Sequence, residues 1–180
     1  MPLDDALCAE LLAMAADDVS VHELVSGAGD PALVAYRREV EARHAGRLWE
    51  ILDDYETWPG RRLVGDDGAR AAWIVAQHAI EDPGLQRRCL EMLEIAVDCG
   101  DADPVHYAYL LDRVRMADGK DQLYGSQFVL SGGGDDVEPW PVDDPDAVDQ
   151  RRRRLGLPSL SEHASTMRAR WRERDRHAGI

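Results

Sequence analysis

With 180 residues, 44% apolar and 31% charged, the chain suits one domain of ordinary size with a real core, and wholesale disorder is excluded. Its formal net charge of −14 argues against a general binder of nucleic acid or of anionic membranes, which both present phosphate to a positive surface. No window approaches the roughly 18 uninterrupted apolar residues of a membrane span, and residues 1–5 lack the basic and apolar regions of a secretory leader. Three cysteines without a C-x-x-C pair suit a reducing compartment, so a soluble cytoplasmic protein is expected.

Helical periodicity dominates the first two thirds. Leu7, Leu11, Met14, Ala15 and Val19 mark one stripe of a helix over 3–25, with Asp4 or Asp5 as its cap and a glycine break at 27–29. Asp30-Pro31 starts a second helix by pairing a capping side chain with proline at the first helical position. Its stripe runs through Leu33, Val34, Val40, Leu48, Ile51, Leu52 and Tyr55, and Trp58-Pro59-Gly60 ends it. After a Leu63-Val64-Gly65 link comes a helix over about 68–81 with almost no polar face, which belongs in the middle of the fold. Asp82-Pro83 and Asp103-Pro104 repeat the capping device for two more helices.

After Gly119 the pattern changes. Residues 122–130 read as a strand, 131–136 as a turn and 137–142 as an edge strand restricted by Pro139 and Pro141, together one β-hairpin. A short helix follows Asp144-Pro145, and Ser159 with Glu162 forms a capping box for the last one. The expected fold is mainly α, bundle-like and a single domain over 1–160 with a hairpin near 122–142, followed by a basic helix or tail over 161–180. Residues 145–180 hold nine arginines against five acids, which suits docking on the chain's own acidic body better than binding nucleic acid.

Several strings recur in a characteristic order: Trp58-Pro59, Val64-Gly65, Gln77-His78-Ala79 with Asp82 and Gln86, then Ala108-Tyr109-Leu110 with Asp112-Arg113-Val114. Gln122 to Gln127, Val148-Asp149 and Leu155-Gly156-Leu157 complete the series. In this order and spacing the chain resembles the bacterial DUF6624 family of unknown function over about residues 45–160, leaving the first 40 and last 20 residues outside. The resemblance implies a shared site without a known reaction.

His78, at the end of the most apolar helix, is the leading candidate for general acid or base. Asp82 would orient it if the helix continued that far, and Gln86 lies one turn beyond. Equally, His78 reads as a core histidine and Asp82 as a plain cap. Asp112-Arg113 reads either as an anchor for an anionic group or as an internal ion pair. Gln122, Tyr124 and Gln127 would line a pocket wall if Gly125 introduces a bulge, or would satisfy backbone groups instead. No ligand spacing points to a metal or cofactor, Cys89 and Cys99 read as core thiols, and no phosphate loop or nucleophile elbow occurs. Two functions follow. One is a small enzyme acting on a small polar or peptide substrate (hydrolase, acyl-transfer or cyclisation type) through His78, Asp82, Arg113, Gln122, Tyr124 and Gln127. The other is a non-catalytic acidic module of immunity or adaptor type.

Overall fold

Three Asp-Pro pairs start helices as predicted. Asp30 Oδ1 accepts from Ala32 N at 2.9 Å, Asp82 Oδ1 from Leu85 N at 2.9 Å and Asp103 Oδ1 from Val105 N at 2.8 Å, each satisfying an amide the helix itself cannot. The computed structural model describes residues 3–25, 30–131 and 136–178, with side chains to 173; the break at 27–29 and most of the predicted turn, 132–135, lie outside the described residues. The chain forms two compact units, residues 1–107 and 108–180. Across the described residues the fold is mainly α, with seven helices and one two-stranded antiparallel hairpin.

The first unit holds α1 (Asp5–Val25), α2 (Pro31–Tyr55), α3 (Arg61–His78) and α4 (Pro83–Asp98), with the start of α5 (Pro104–Ala117). As its composition requires, α3 lies among the other helices, packing on α1, α2 and α4. It is broken after one turn by Gly65, whose φ of 72° is open to glycine and costly for other residues, so the predicted link is present as a kink. Leu11, Leu48, Ile51, Leu52, Leu85 and Leu93 are fully buried, each contributing about 2 kcal/mol of apolar burial.

Three details differ from the expected core. Tyr55, at the end of the α2 stripe, is 37% exposed and donates its hydroxyl to Asp4 Oδ2 at 2.6 Å. Val19 is 42% exposed and Asp18 takes the inward position, because Asp18 stands eleven residues after Leu7, about 20° round the helix, and Val19 about 120°. Cys99, expected in the core, is exposed at the end of α4, whereas Cys89 is buried and its thiol is pushed up by desolvation.

The second unit holds the rest of α5, β1 (Phe128–Leu130), β2 (Val137–Pro139), α6 (Pro145–Arg154) and α7 (Leu160–Ala178). Only the end of the predicted strand is regular: Phe128 pairs with Pro139 and Leu130 with Val137, while Gln122 makes an isolated parallel bridge to Val142. The capping box of α7 is reciprocal, with Ser159 N donating to Glu162 Oε2 at 2.8 Å and Glu162 N to Ser159 Oγ at 3.3 Å.

Candidate functional site

Within the first unit, α1, α2 and α3 bring a set of titratable side chains into the interior. Asp18, on the buried stripe of α1, is 1% exposed. His44 Nδ1–H donates to its Oδ1 at 2.6 Å, a charge-assisted contact, and His44 Nε2 lies 3.9 Å from Asp17 Oδ2. His78 Nδ1 stands 3.5 Å from Asp18 Oδ2, near enough for charge attraction and too far for a good hydrogen bond. Neither Asp18 Oδ2 nor His78 Nδ1, both buried, makes a hydrogen bond. One carboxylate thus faces two imidazoles.

The set continues outward. The rings of His22 and His78 stand 4.1 Å apart, tilted by 40°, and His22 Nε2 is 2.9 Å from Glu41 Oε1. Arg37 Nε lies 3.6 Å from the same oxygen. The His44 side chain is 6% exposed, against 22% for His78 and 30% for His22, so the edge open to solvent is the His22–His78 pair. Among the described residues, no group of three or more His, Cys, Asp or Glu is arranged to hold a metal ion.

Asp82 is placed elsewhere. Helix α3 ends at His78 and the chain turns, with Ile80 N donating to His78 O at 2.7 Å, so His78 and Asp82 do not face each other across one helical turn. Asp82 Oδ1 caps α4, and Oδ2 accepts the Trp49 indole N–H at 2.8 Å. Gln86, 1% exposed, closes the end of α3 by donating to Ala76 O at 3.0 Å and Gln77 O at 3.4 Å. The carboxylate beside His78 is therefore Asp18. The sequence signal for it was the helical stripe: Asp18 falls in register with Leu7, Leu11 and Met14, and His44 falls between Val40 and Leu48.

Asp112, Arg113, Gln122, Tyr124 and Gln127 belong to the second unit. Asp112 is fully buried and accepts from Leu123 N at 2.7 Å, from Tyr124 N at 3.1 Å and from Ser126 N at 3.0 Å. Gln122 donates to Gln127 O at 3.1 Å and Trp140 O at 2.6 Å, and its carbonyl accepts from Gln127 N at 2.8 Å. The side-chain amide of Gln127 reaches Tyr109 O at 3.3 Å and Ser126 Oγ at 2.9 Å. These three side chains serve as the internal frame of the 122–127 segment. Gly125 supplies the expected irregularity with a φ of 67°. Tyr124 and Arg113 are half-buried, and burial, then the Asp112 charge, raises the Tyr124 phenol.

Among the described arginines of the last third, Arg151, Arg152 and Arg172 dock within their own unit. Arg151 Nε donates to Leu123 O at 2.7 Å, while the fully buried Arg152 donates to Pro158 O and Tyr124 O, each at 2.6 Å. Arg172 pairs with Asp136 at 3.1 Å.

The chain belongs to the DUF6624 family, a family of unknown function whose model matches residues 5–171. The match takes in most of the first 40 residues and the start of α7, both expected to lie outside it, and so covers Asp18, His22, Glu41 and His44. Neither a curated protein nor a solved structure was found that matches the chain. Among the described residues no helix is long and apolar enough to cross a membrane.

Proposed function

We propose that this chain is a small cytoplasmic bacterial enzyme that moves protons on a small polar or peptide substrate, with His78 as the general acid or base and Asp18 as its orienting carboxylate. The observation that carries the reading is Asp18 itself, 1% exposed, shared between His44 Nδ1 at 2.6 Å and His78 Nδ1 at 3.5 Å while His78 still reaches solvent. His44 holds the carboxylate in place, and a few tenths of an ångström of closure would complete the second contact. His78 then takes a proton from an attacking O–H or N–H group, Asp18 stabilises the imidazolium, and the proton passes to the leaving group. Hydrolysis, acyl transfer and cyclisation all use this step.

The test is a turnover screen, by proton NMR, of pooled metabolites and short peptides with the wild-type chain, His78→Ala and Asp18→Asn. The reading expects a substrate consumed by the wild type and a rate loss of about 10²-fold or more in His78→Ala. Turnover undiminished in His78→Ala, or none with any pool, would sink it.

A second reading, a non-catalytic acidic module, is favoured by the outer face of α1. There Leu12 and Val19, seven residues apart and 44% and 42% exposed, share one face of α1 with the exposed Glu23, four residues after Val19. It expects a basic protein partner whose affinity is lost in Leu12→Asp and kept in His78→Ala.

A further inference from the structure

The first unit carries a groove of about 370 Å³ between α1 and α2, and the interior pair of Asp18 and His44 opens onto it. Asp17 and Asp18 diverge by about 100° on α1, so Asp18 points inward while Asp17, its side chain 64% exposed, stands on the groove wall. His44 lies against both. Its Nδ1–H donates to Asp18 at 2.6 Å, and its Nε2, on the other edge of the ring, lies 3.9 Å from Asp17 Oδ2. His44 is only 5% exposed, yet this Nε2 makes no hydrogen bond and, unlike His78 Nδ1, is open to solvent. A buried imidazole thus turns one unpartnered nitrogen toward the groove that it lines.

The spacing of the two groups defines what would bridge them. With its proton on Nδ1, His44 offers Nε2 as an acceptor, so Asp17 Oδ2 and His44 Nε2 are two acceptors 3.9 Å apart. They cannot bond each other, but one donor group at about 2.8 Å from each would satisfy both. An ammonium fits best, because it carries three N–H donors and a charge opposite to that of Asp17.

The other walls define the rest of an occupant. Arg47 closes one end, donating to Glu10 at 2.6 Å and 3.1 Å and to Glu50 Oε2 at 2.8 Å, so these charges answer one another. Arg43, one residue before His44, lines the groove, is exposed and makes no ion pair or hydrogen bond among the described residues. Its planar fork is matched to a carboxylate. Ala13 and Met14 lie between Glu10 and Asp17 on the same face of α1 and add an apolar stretch. Facing helices therefore present an uncommitted cation and an uncommitted carboxylate across one groove, with the His44 nitrogen beside the carboxylate.

We propose that this groove binds a free α-amino acid with an apolar side chain. Its ammonium sits between Asp17 Oδ2 and His44 Nε2, its carboxylate on Arg43 and its side chain along Ala13 and Met14. The site uses Asp18 only to hold His44 and needs nothing of His78, so it goes beyond the acid–base reading. Asp18 is common to the two imidazoles, and an amino acid held at His44 therefore sits one carboxylate away from His78.

The test is isothermal titration of the full chain with L-leucine, and with isoamylamine and 4-methylpentanoate, which lack its carboxylate and its ammonium respectively. Leucine should bind saturably at millimolar concentration or below, and each control about tenfold more weakly. Arg43→Gln and Asp17→Asn, both at exposed positions and each checked for an intact thermal melt, should weaken leucine binding by about tenfold. Arg43→Gln should not weaken isoamylamine, and Asp17→Asn should not weaken 4-methylpentanoate, a pattern that binding elsewhere would not give. No saturation by leucine, equal affinity for either control, or unchanged leucine affinity in either variant overturns the proposal. His78→Ala separates the two readings: leucine binding should persist in it, and its loss would overturn the proposal by placing the ligand at the other imidazole. Leucine binding without turnover of any pool removes only the enzyme reading, and turnover through His78 without leucine binding removes this inference alone.

Discussion

Asp18 and His44 are joined by a 2.6 Å hydrogen bond on the inward stripes of α1 and α2, which apart from these two and Glu41 carry leucine, isoleucine, methionine, valine and alanine. At this point each helix gives up an apolar side chain facing the core, and the polar pair is tolerated only because each member meets the other. Removing one partner strands the second.

Asp18→Ala should therefore destabilise the chain by about 3 kcal/mol or more, and His44→Ala by a similar amount. The double change Asp18→Leu with His44→Leu should be much milder than the sum, since two apolar groups need no partner. Urea unfolding of the four proteins measures this directly. Additive losses would mean that the pair is not coupled.

Asp112 has a larger share of local backbone to hold. Asp112→Ala leaves the amides of Leu123, Tyr124 and Ser126 without their acceptor and should cost about 3 kcal/mol in the second unit. Asp112→Asn, which keeps one acceptor oxygen, should cost distinctly less. Denaturant unfolding followed at tryptophan checks the order, and equal losses for the two variants would contradict it.

A pH dependence follows from His163. Burial, helped by Arg152 and Arg170, pushes its imidazole down from an ordinary 6.5 to about 4, and the ring packs edge-on against Phe128 and Tyr109. Between these values the unfolded chain takes up a proton that the folded chain refuses, so the folded state loses stability as pH falls from about 6.5 to about 4 and the loss levels off below. His163→Phe removes the titrating group, and the ring's Nε2 makes no hydrogen bond to lose. Unfolding free energies at pH 7, 5.5 and 4.5 should fall less steeply in the variant than in the wild type. Parallel declines would rule the effect out.

Gly46→Ala should stabilise the chain by about 0.5–1 kcal/mol, because a helical glycine gains from a Cβ that meets nothing. Gly125→Ala should do the reverse, since its Cβ would run into Leu160 and its φ of 67° disfavours any side chain. Thermal melts of the two variants should move in opposite directions.

The helices were legible because capping and proline act locally: Asp30, Asp82, Asp103 and Glu162 do what their neighbours dictate, whatever the rest of the chain does. His78 was legible as a polar residue at the end of an apolar helix. Its partner was misread because the pairing with Asp82 required α3 to run one turn further, and the chain turns at Ala79 instead. Asp18 and His44 were hidden for a different reason. A stripe is read by its apolar members, and a charged residue inside it looks like a solvated neighbour until another helix supplies its counterpart. Gln122 and Tyr124 did not share a strand face because the carboxylate of Asp112, ten residues earlier in the chain, bends 123–126 around itself.

That last arrangement has a dynamic signature. A hairpin ladder opens from its ends, one rung at a time, so its amides exchange with deuterium at graded rates. The amides of Leu123, Tyr124 and Ser126 instead share a single acceptor on α5, and they open only when that one side chain lets go. Their exchange should then rise together with denaturant along a common line, marking this short irregular segment as one cooperative element in a stretch that has almost no regular secondary structure.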